Sequence, residues 1–367
     1  MIEPGPRIIA WEITRSCNLK CRHCRASASP GPYTGELSTE ECINIVDAIV
    51  EIGRPILILT GGEPLLRDDI FEIASHATGK GLRTVMAPNG TLLTREKADK
   101  MKASGISRIS VSIDFPTAEL HDDFRGEPGA FEGAVEGIRN ARDSGIEVQI
   151  NSTITALNVD YLPELIRMAV EQKAVAFHPF LLVPAGRGRE MREQELSPAE
   201  YEKTLHRIYD LQQQNPGIFF KPTDVPHYMR IVKQRGGAAA HGHPSASQAG
   251  QGSQGRPHGG GMESMTRGCL GGTGFCFISH VGDVQPCGYF EVKAGNVREM
   301  ALGEIWKSSK LFRELRDFSL LKGKCGICEY REICGGCRAR AYETTGDYMA
   351  EEPYCIYRPK GTAGEKG

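Results

Sequence analysis

Twelve unevenly placed cysteines constrain this chain more than any other feature. Three lie on one short stretch, at Cys17, Cys21 and Cys24; Cys42 stands alone; eight fall between Cys269 and Cys355. Between Cys42 and Cys269 there is none. Thiolates are soft ligands suited to iron–sulfur clusters or zinc. Three of them on a four-iron cluster leave one iron open, whereas a zinc site borrowing a fourth ligand such as His23 would be closed. Eight later cysteines match two four-thiolate clusters, and C-x2-C pairs also suit zinc ribbons. This layout predicts two cysteine-dependent modules flanking a cysteine-free scaffold.

Disulfides are rare in a reducing cytosol, which favours metal or redox chemistry. Met1–Arg7 lacks the basic-then-apolar pattern of a signal peptide. No apolar run approaches the roughly 18 residues that span a membrane. A cytoplasmic protein is therefore expected. With 44 Lys+Arg against 46 Asp+Glu, the net charge of −2 argues against a nucleic-acid backbone as partner.

From the start to about residue 235, β-branched runs alternate with helical spacing. Strands are expected at Arg7–Ile13, Pro55–Thr60, Leu82–Ala87, Ser107–Ile113, Glu147–Ile154 and Val175–Val183. Helices are expected at Thr39–Ile52, Asp69–Lys80, Arg95–Ala103, Phe131–Ser144, Asp160–Gln172 and Pro198–Gln214. Gly53, Gly81, Gly105 and Gly145 suit helix C-termini, and Ser38 with Glu41 a helix start. Six strand–helix units predict an α/β fold with a parallel sheet. An open or partial (β/α)6 TIM-like barrel fits best, with Rossmann-type double winding as the competing arrangement; either way ligands belong at the strands' C-terminal ends. Three regions follow: a barrel over 1–235, a Gly/His/Ser-rich flexible linker over 236–265 containing His241, His243 and His258, and a cysteine-rich module over 266–367.

The first strand runs into Cys17-Asn-Leu-Lys-Cys21-Arg-His-Cys24, and the second into Thr60-Gly-Gly-Glu-Pro64. Together they resemble the radical S-adenosylmethionine (SAM) enzymes. The resemblance implies a [4Fe–4S] cluster on Cys17, Cys21 and Cys24, with Gly61, Gly62 and Glu63 receiving the SAM amino group. It implies Ser112 and Asp114 near the SAM ribose and methionine, and Arg125 on the methionine carboxylate. Asn151, Thr153 and Val183 would face the same rim, and His23 would hold the place of an aromatic residue beside the adenine. Cys269-x6-Cys276-x5-Gly282-x4-Cys287, Cys325-x2-Cys328-x5-Cys334-x2-Cys337 and Cys355 resemble the SPASM extension of that family. One departure is the x2 between Cys334 and Cys337, where the family has x3. By analogy Cys269, Cys276, Cys287 and Cys337 would hold one auxiliary [4Fe–4S] cluster, and Cys325, Cys328, Cys334 and Cys355 another. One or both would be filled. Cys42 is left as a buried inert thiol.

In this family SAM cleavage yields a 5′-deoxyadenosyl radical that abstracts a hydrogen atom. Finer features resemble the family's enzymes of the siroheme-dependent haem pathway: Ala10–Cys17, Thr266–Phe277 and Cys334–Arg340. Within that group the likeness is to the haem synthases, which oxidatively decarboxylate two propionates of iron-coproporphyrin III to the vinyls of haem b. Deacetylation of 12,18-didecarboxysiroheme is the second reading. A tetrapyrrole is then the substrate, and an electron donor such as flavodoxin or ferredoxin the partner. Arg187, Arg189 and Arg267 are nominated as anchors for its carboxylates. His178 and His227 are nominated as ligands of its iron. A SPASM peptide maturase would be expected to need a peptide-binding partner domain, for which Cys17 comes too early. A non-catalytic iron–sulfur or zinc scaffold would have no need of the GGEP, Ser112 and Arg125 set.

Overall fold

The computed structural model describes residues 4–236 and 267–360. The 236–265 linker, with its three histidines, lies outside the described residues except for Gly236.

Six main strands follow in sequence: β1 (Ile8–Thr14), β2 (Ile56–Gly61), β3 (Arg83–Met86), β4 (Arg108–Ser112), β5 (Glu147–Ile154) and β6 (Ala176–Leu181). A two-residue β7 (Phe219–Phe220) extends the parallel sheet beside β6. Helices α1 (Thr39–Ile52), α2 (Ile70–Gly79), α3 (Arg95–Ala103), α4 (Ala118–Arg125), α5 (Ala130–Asp143), α6 (Leu162–Glu171), α7 (Pro198–Gln214) and α8 (Tyr228–Gln234) fill the crossovers and the end of this half. Ser38 starts α1 through a full capping box with Glu41.

The neighbour order β1-β2-β3-β4-β5-β6-β7 runs in chain order with no reversal. That is the winding of a barrel and excludes double winding, in which strand order switches direction. The C-terminal module does not stand apart. Its β8 (Phe275–Ile278) pairs in parallel with β1, and β9 (Asp283–Gln285) and β10 (Gly295–Asn296) continue the same ten-stranded sheet antiparallel. Four helices follow: α9 (Leu302–Ser308), α10 (Lys310–Arg316), α11 (Gly323–Ile327) and α12 (Arg338–Thr345).

One large apolar core lies between the sheet and the helices; it includes Trp11, Leu57, Leu59, Ile109 and Phe177, and Trp306 and Phe312 of the C-terminal module. The opposite, inner face of the barrel is different. It carries Ser110, Ser112, Gln149, Asn151 and His178. A closed eight-stranded barrel fills its interior with layers of branched side chains. Here the small and polar inner residues leave a cavity of about 540 Å³. No helix among the described residues is long and apolar enough to cross a membrane.

Candidate active site

The cavity has two cysteine-bearing walls. On one, β1 ends in a loop whose Cys17 N–H donates to Ser29 O (3.0 Å), and Cys17, Cys21 and Cys24 all face the cavity. The loop and α4 supply donors to its sulfurs: Leu19 N–H to Cys17 Sγ and Ala28 N–H to Cys24 Sγ (both 3.4 Å), and Arg125 Nη1 to Cys21 Sγ (3.7 Å). Such donors stabilise thiolates. Burial pushes Cys17 up to about 12, so iron must displace its proton. All twelve cysteines are free of disulfides. The donor set, its open face and its N–H partners fit a cluster held by three thiolates.

β2 docks against this loop with no room to spare. A Cβ on Gly61 would lie 2.3 Å from Thr14 O, and one on Gly62 2.4 Å from Ser16 O. Both glycines face the cavity, but what demands glycine there is the backbone at the end of β1 and the start of the cysteine loop. Glu63 is wholly buried and is not on the cavity wall. Its carboxylate accepts from Leu65 N–H (3.0 Å) and Asn89 N–H (2.6 Å); burial pushes it up to about 7, these two donors notwithstanding. Its visible task is to fix Asn89, which does line the cavity and which donates to Asn18 of the cysteine loop (2.8 Å).

Across the next strands, register sets Ser112 at the end of β4 beside Asn151 and His178 within β5 and β6. Thr153 also faces the cavity, whereas Val183 is packed in the core. Asp114 is fully buried, accepts from Thr153 N–H (2.7 Å) and pairs with Arg125 (2.5 Å). Arg125 is thus no surface residue. Only 7% exposed, it links Asp114 to Cys21 and keeps its guanidinium on the cavity wall. His23 stacks on Phe124 (centroids 4.4 Å apart) and faces the cavity, as an aromatic residue in its place would.

A second part of the wall carries Cys269, Cys287 and Cys337. Cys276 departs from the expected four-ligand set. In β8, Phe275 and Phe277 face the cavity, so strand alternation sends Cys276 to the other face, into the main core. Cys325, Cys328, Cys334 and Cys355 surround a separate small cavity of about 30 Å³. Cys42 lies buried in α1.

The nominated arginines have other work. Arg187 donates to Cys21 O (3.0 Å) and Ala28 O (2.7 Å), bracing the cysteine loop, and is not on the cavity wall. Arg189 pairs at the surface with Glu343 and Glu291. Arg267 reaches the wall, but it donates to Cys269 O and Glu332 O and lies over Phe318. Arg187 and Arg267 satisfy carbonyls of irregular cluster-bearing loops, which have no ladder partners, and Arg189 is held by two carboxylates.

The histidines differ too. His227 is not on the main cavity wall but on that of the small four-cysteine cavity. His178 faces the main cavity, with Nδ1 3.1 Å from Gln149 Nε2. That amide nitrogen also donates to Asn151 Oδ1 (2.7 Å). An amide N–H given to Nδ1 leaves the ring proton on Nε2. Burial keeps the ring neutral, so His178 carries its proton on a buried Nε2 that has no partner among the described residues, and offers no lone pair there for iron.

Sequence reasoning missed the cations that do face the cavity. Arg83 and Arg108 are the first residues of β3 and β4, at the end remote from the cysteine loop, and Lys221 follows β7. It also missed Glu12, buried in β1 between Arg25 (2.9 Å), Arg15 (3.0 Å) and His280 (2.8 Å). A charged residue inside an otherwise apolar strand was the available signal.

Comparison with known proteins agrees with this geometry. Residues 11–169 match the radical SAM superfamily, and residues 269–338 the SPASM iron–sulfur cluster-binding domain. The "AdoMet-dependent heme synthase" of Nitratidesulfovibrio vulgaris (strain Hildenborough) is 51% identical over 97% of this chain and 94% of its own. The "Fe-coproporphyrin III synthase" of Methanosarcina barkeri is 33% identical over 95% of this chain and 87% of its own. Among solved structures, SuiB of Streptococcus suis bound to S-adenosylmethionine shares the fold, with a TM-score of 0.73 at 17% identity over 96% of this chain and 78% of that one. The cofactors are SAM and [4Fe–4S] clusters, and the chain belongs to the radical SAM enzymes that carry a SPASM domain, the group that includes the AdoMet-dependent haem synthases.

Proposed function

We propose that this enzyme oxidatively decarboxylates two propionates of iron-coproporphyrin III to the vinyl groups of haem b. The observation that carries the reading is one cavity bounded by two three-cysteine walls, within a chain 51% identical to an AdoMet-dependent haem synthase. The 33% identity to an Fe-coproporphyrin III synthase ranks the deacetylase reading second.

When bound, SAM and the cluster of Cys17, Cys21 and Cys24 supply a 5′-deoxyadenosyl radical for hydrogen abstraction. Removal of a hydrogen atom from the propionate β-carbon, then of CO2, turns –CH2–CH2–COO⁻ into –CH=CH2 and releases one electron, which an auxiliary cluster would accept. Cys269, Cys287 and Cys337 would hold the auxiliary cluster nearest the substrate. A donor such as flavodoxin or ferredoxin provides the reducing electron, and the reaction runs in the cytoplasm.

The chain's own residues suit such a substrate. Ile8, Ile56, Val85 and Phe275 form an apolar patch for a flat macrocycle. Arg83, Arg108 and Lys221 offer cations to carboxylates away from the reacting one. Arg108 is shared with Glu147 (2.6 Å), and burial draws Lys221 down to about 8. Arg83→Gln is expected to weaken iron-coproporphyrin III binding about tenfold, the loss of one hydrogen bond to a charged group. Soret-band titration under nitrogen reads this directly. Failure of the unaltered protein to bind the porphyrin would sink the substrate assignment.

A further inference from the structure

We propose that His227 donates its ring N–H to the iron–sulfur cluster held by Cys325, Cys328, Cys334 and Cys355, and thereby raises that cluster's reduction potential. The proposal rests on the SPASM cysteine set and not on the tetrapyrrole reading.

His227 immediately precedes α8 and is 1% exposed. Neither ring nitrogen has a hydrogen-bond partner among the described residues. A buried donor left unmade is costly, so such a group calls for a partner. Stacking on Tyr201 (centroids 4.9 Å apart, planes 25° from parallel) holds the ring plane. The small cavity it faces is the one the four cysteines surround.

The charged side chains on that wall are already engaged within the protein. Arg230 pairs with Glu202 (2.6 Å) through Nη2 and lies over Tyr357, with its Nε the one other buried donor on that wall left unpartnered among the described residues. Lys324 donates to Cys355 O (2.5 Å), and Arg331 to Gly326 O (3.0 Å). Glu352 accepts from Cys337 N–H (2.6 Å). Tyr357 donates to Glu329 (2.6 Å). No thiol lies within hydrogen-bond reach of His227, so its acceptor arrives only when the cage is filled. A [4Fe–4S] cluster brings bridging sulfides and thiolate sulfurs, all acceptors. An N–H aimed at them stabilises the more negative, reduced state, and burial strengthens the effect.

The test is a redox titration of the reconstituted full-length protein, followed by electron paramagnetic resonance. The relevant signal is the one that disappears in Cys334→Ala. His227→Phe keeps the aromatic stack and removes both nitrogens, while His227→Gln keeps an N–H. The Phe variant is expected to shift that signal alone to a lower midpoint potential, with the Gln variant closer to the unaltered protein. An unmoved midpoint in His227→Phe at full iron and sulfide content would overturn the proposal, as would an equal shift of every cluster. If the Phe variant fails to hold its cluster, protein labelled with 15N-histidine decides the matter. Its reduced-cluster signal should carry a 15N coupling, and the absence of that coupling overturns the proposal.

Discussion

Cys287→Ala is expected to lose one auxiliary cluster, about four irons per chain. Cys276→Ala should keep the iron and sulfide of the unaltered protein. The two cysteines look equivalent by spacing and are not equivalent by face. Cys287 and its companions Cys269 and Cys337 face the cavity. Cys276 points away from it, between two phenylalanines that do face the cavity, and is 1% exposed in the main core. Cys276→Ala removes a small buried sulfur and should cost stability only modestly. Iron and sulfide analysis of the anaerobically reconstituted variants checks this. Equal losses in both variants would mean that the fourth ligand is Cys276 after all.

The second large effect is expected at Glu12. Burial alone would raise this carboxyl, but Arg25, His280 and Arg15 hold it at about 2, against an ordinary value of 4.5. A depressed carboxyl stabilises the fold above its unfolded value, and that contribution fades as pH falls from about 4.5 towards 2. The difference corresponds to about 3 kcal/mol at neutral pH. Glu12→Gln removes the charge and strands Arg25 beside the cavity, where it lies over Phe277. Breaking a buried pair in this way costs about 3–5 kcal/mol. Urea unfolding at pH 7 should show a loss of that size. A loss below about 1 kcal/mol would mean that the cluster of charges is solvated. Because His280 belongs to the C-terminal module and Arg25 to the cysteine loop, Glu12 ties the two cysteine-bearing walls to one strand.

The barrel was legible because its strands are short runs rich in β-branched and other apolar residues and several of its helices are followed by glycine. Gly81, Gly105 and Gly145 do sit in the left-handed region just after α2, α3 and α5. Helix α4, which carries Arg125, was not foreseen; three acidic residues and an exposed Leu120 dilute the periodicity of Ala118–Arg125. The continuation of the sheet through β8 to β10 was also hidden, since strands of two to four residues carry little pattern. The cysteine loop and the GGEP turn were readable because their chemistry is local. The arginines were not. Position after β6 nominated Arg187 and Arg189, but whether an arginine faces a substrate depends on which nearby carbonyls and carboxylates lack partners. Attention to the C-terminal ends of the strands also passed over Arg83 and Arg108 at the other end. The face of Cys276 was in the sequence all along, in the alternation of Phe275, Cys276 and Phe277.

In the proposed reaction the cavity holds a propionate side chain within reach of the radical generated at the wall of Cys17, Cys21 and Cys24. The most direct measurement uses iron-coproporphyrin III deuterated at the propionate β-carbons, incubated anaerobically with the reconstituted enzyme, SAM and reductant. Mass spectrometry of both products should find one deuterium in the 5′-deoxyadenosine and successive losses of one and two carboxyl groups from the porphyrin. Unlabelled 5′-deoxyadenosine with an unchanged porphyrin would contradict the account.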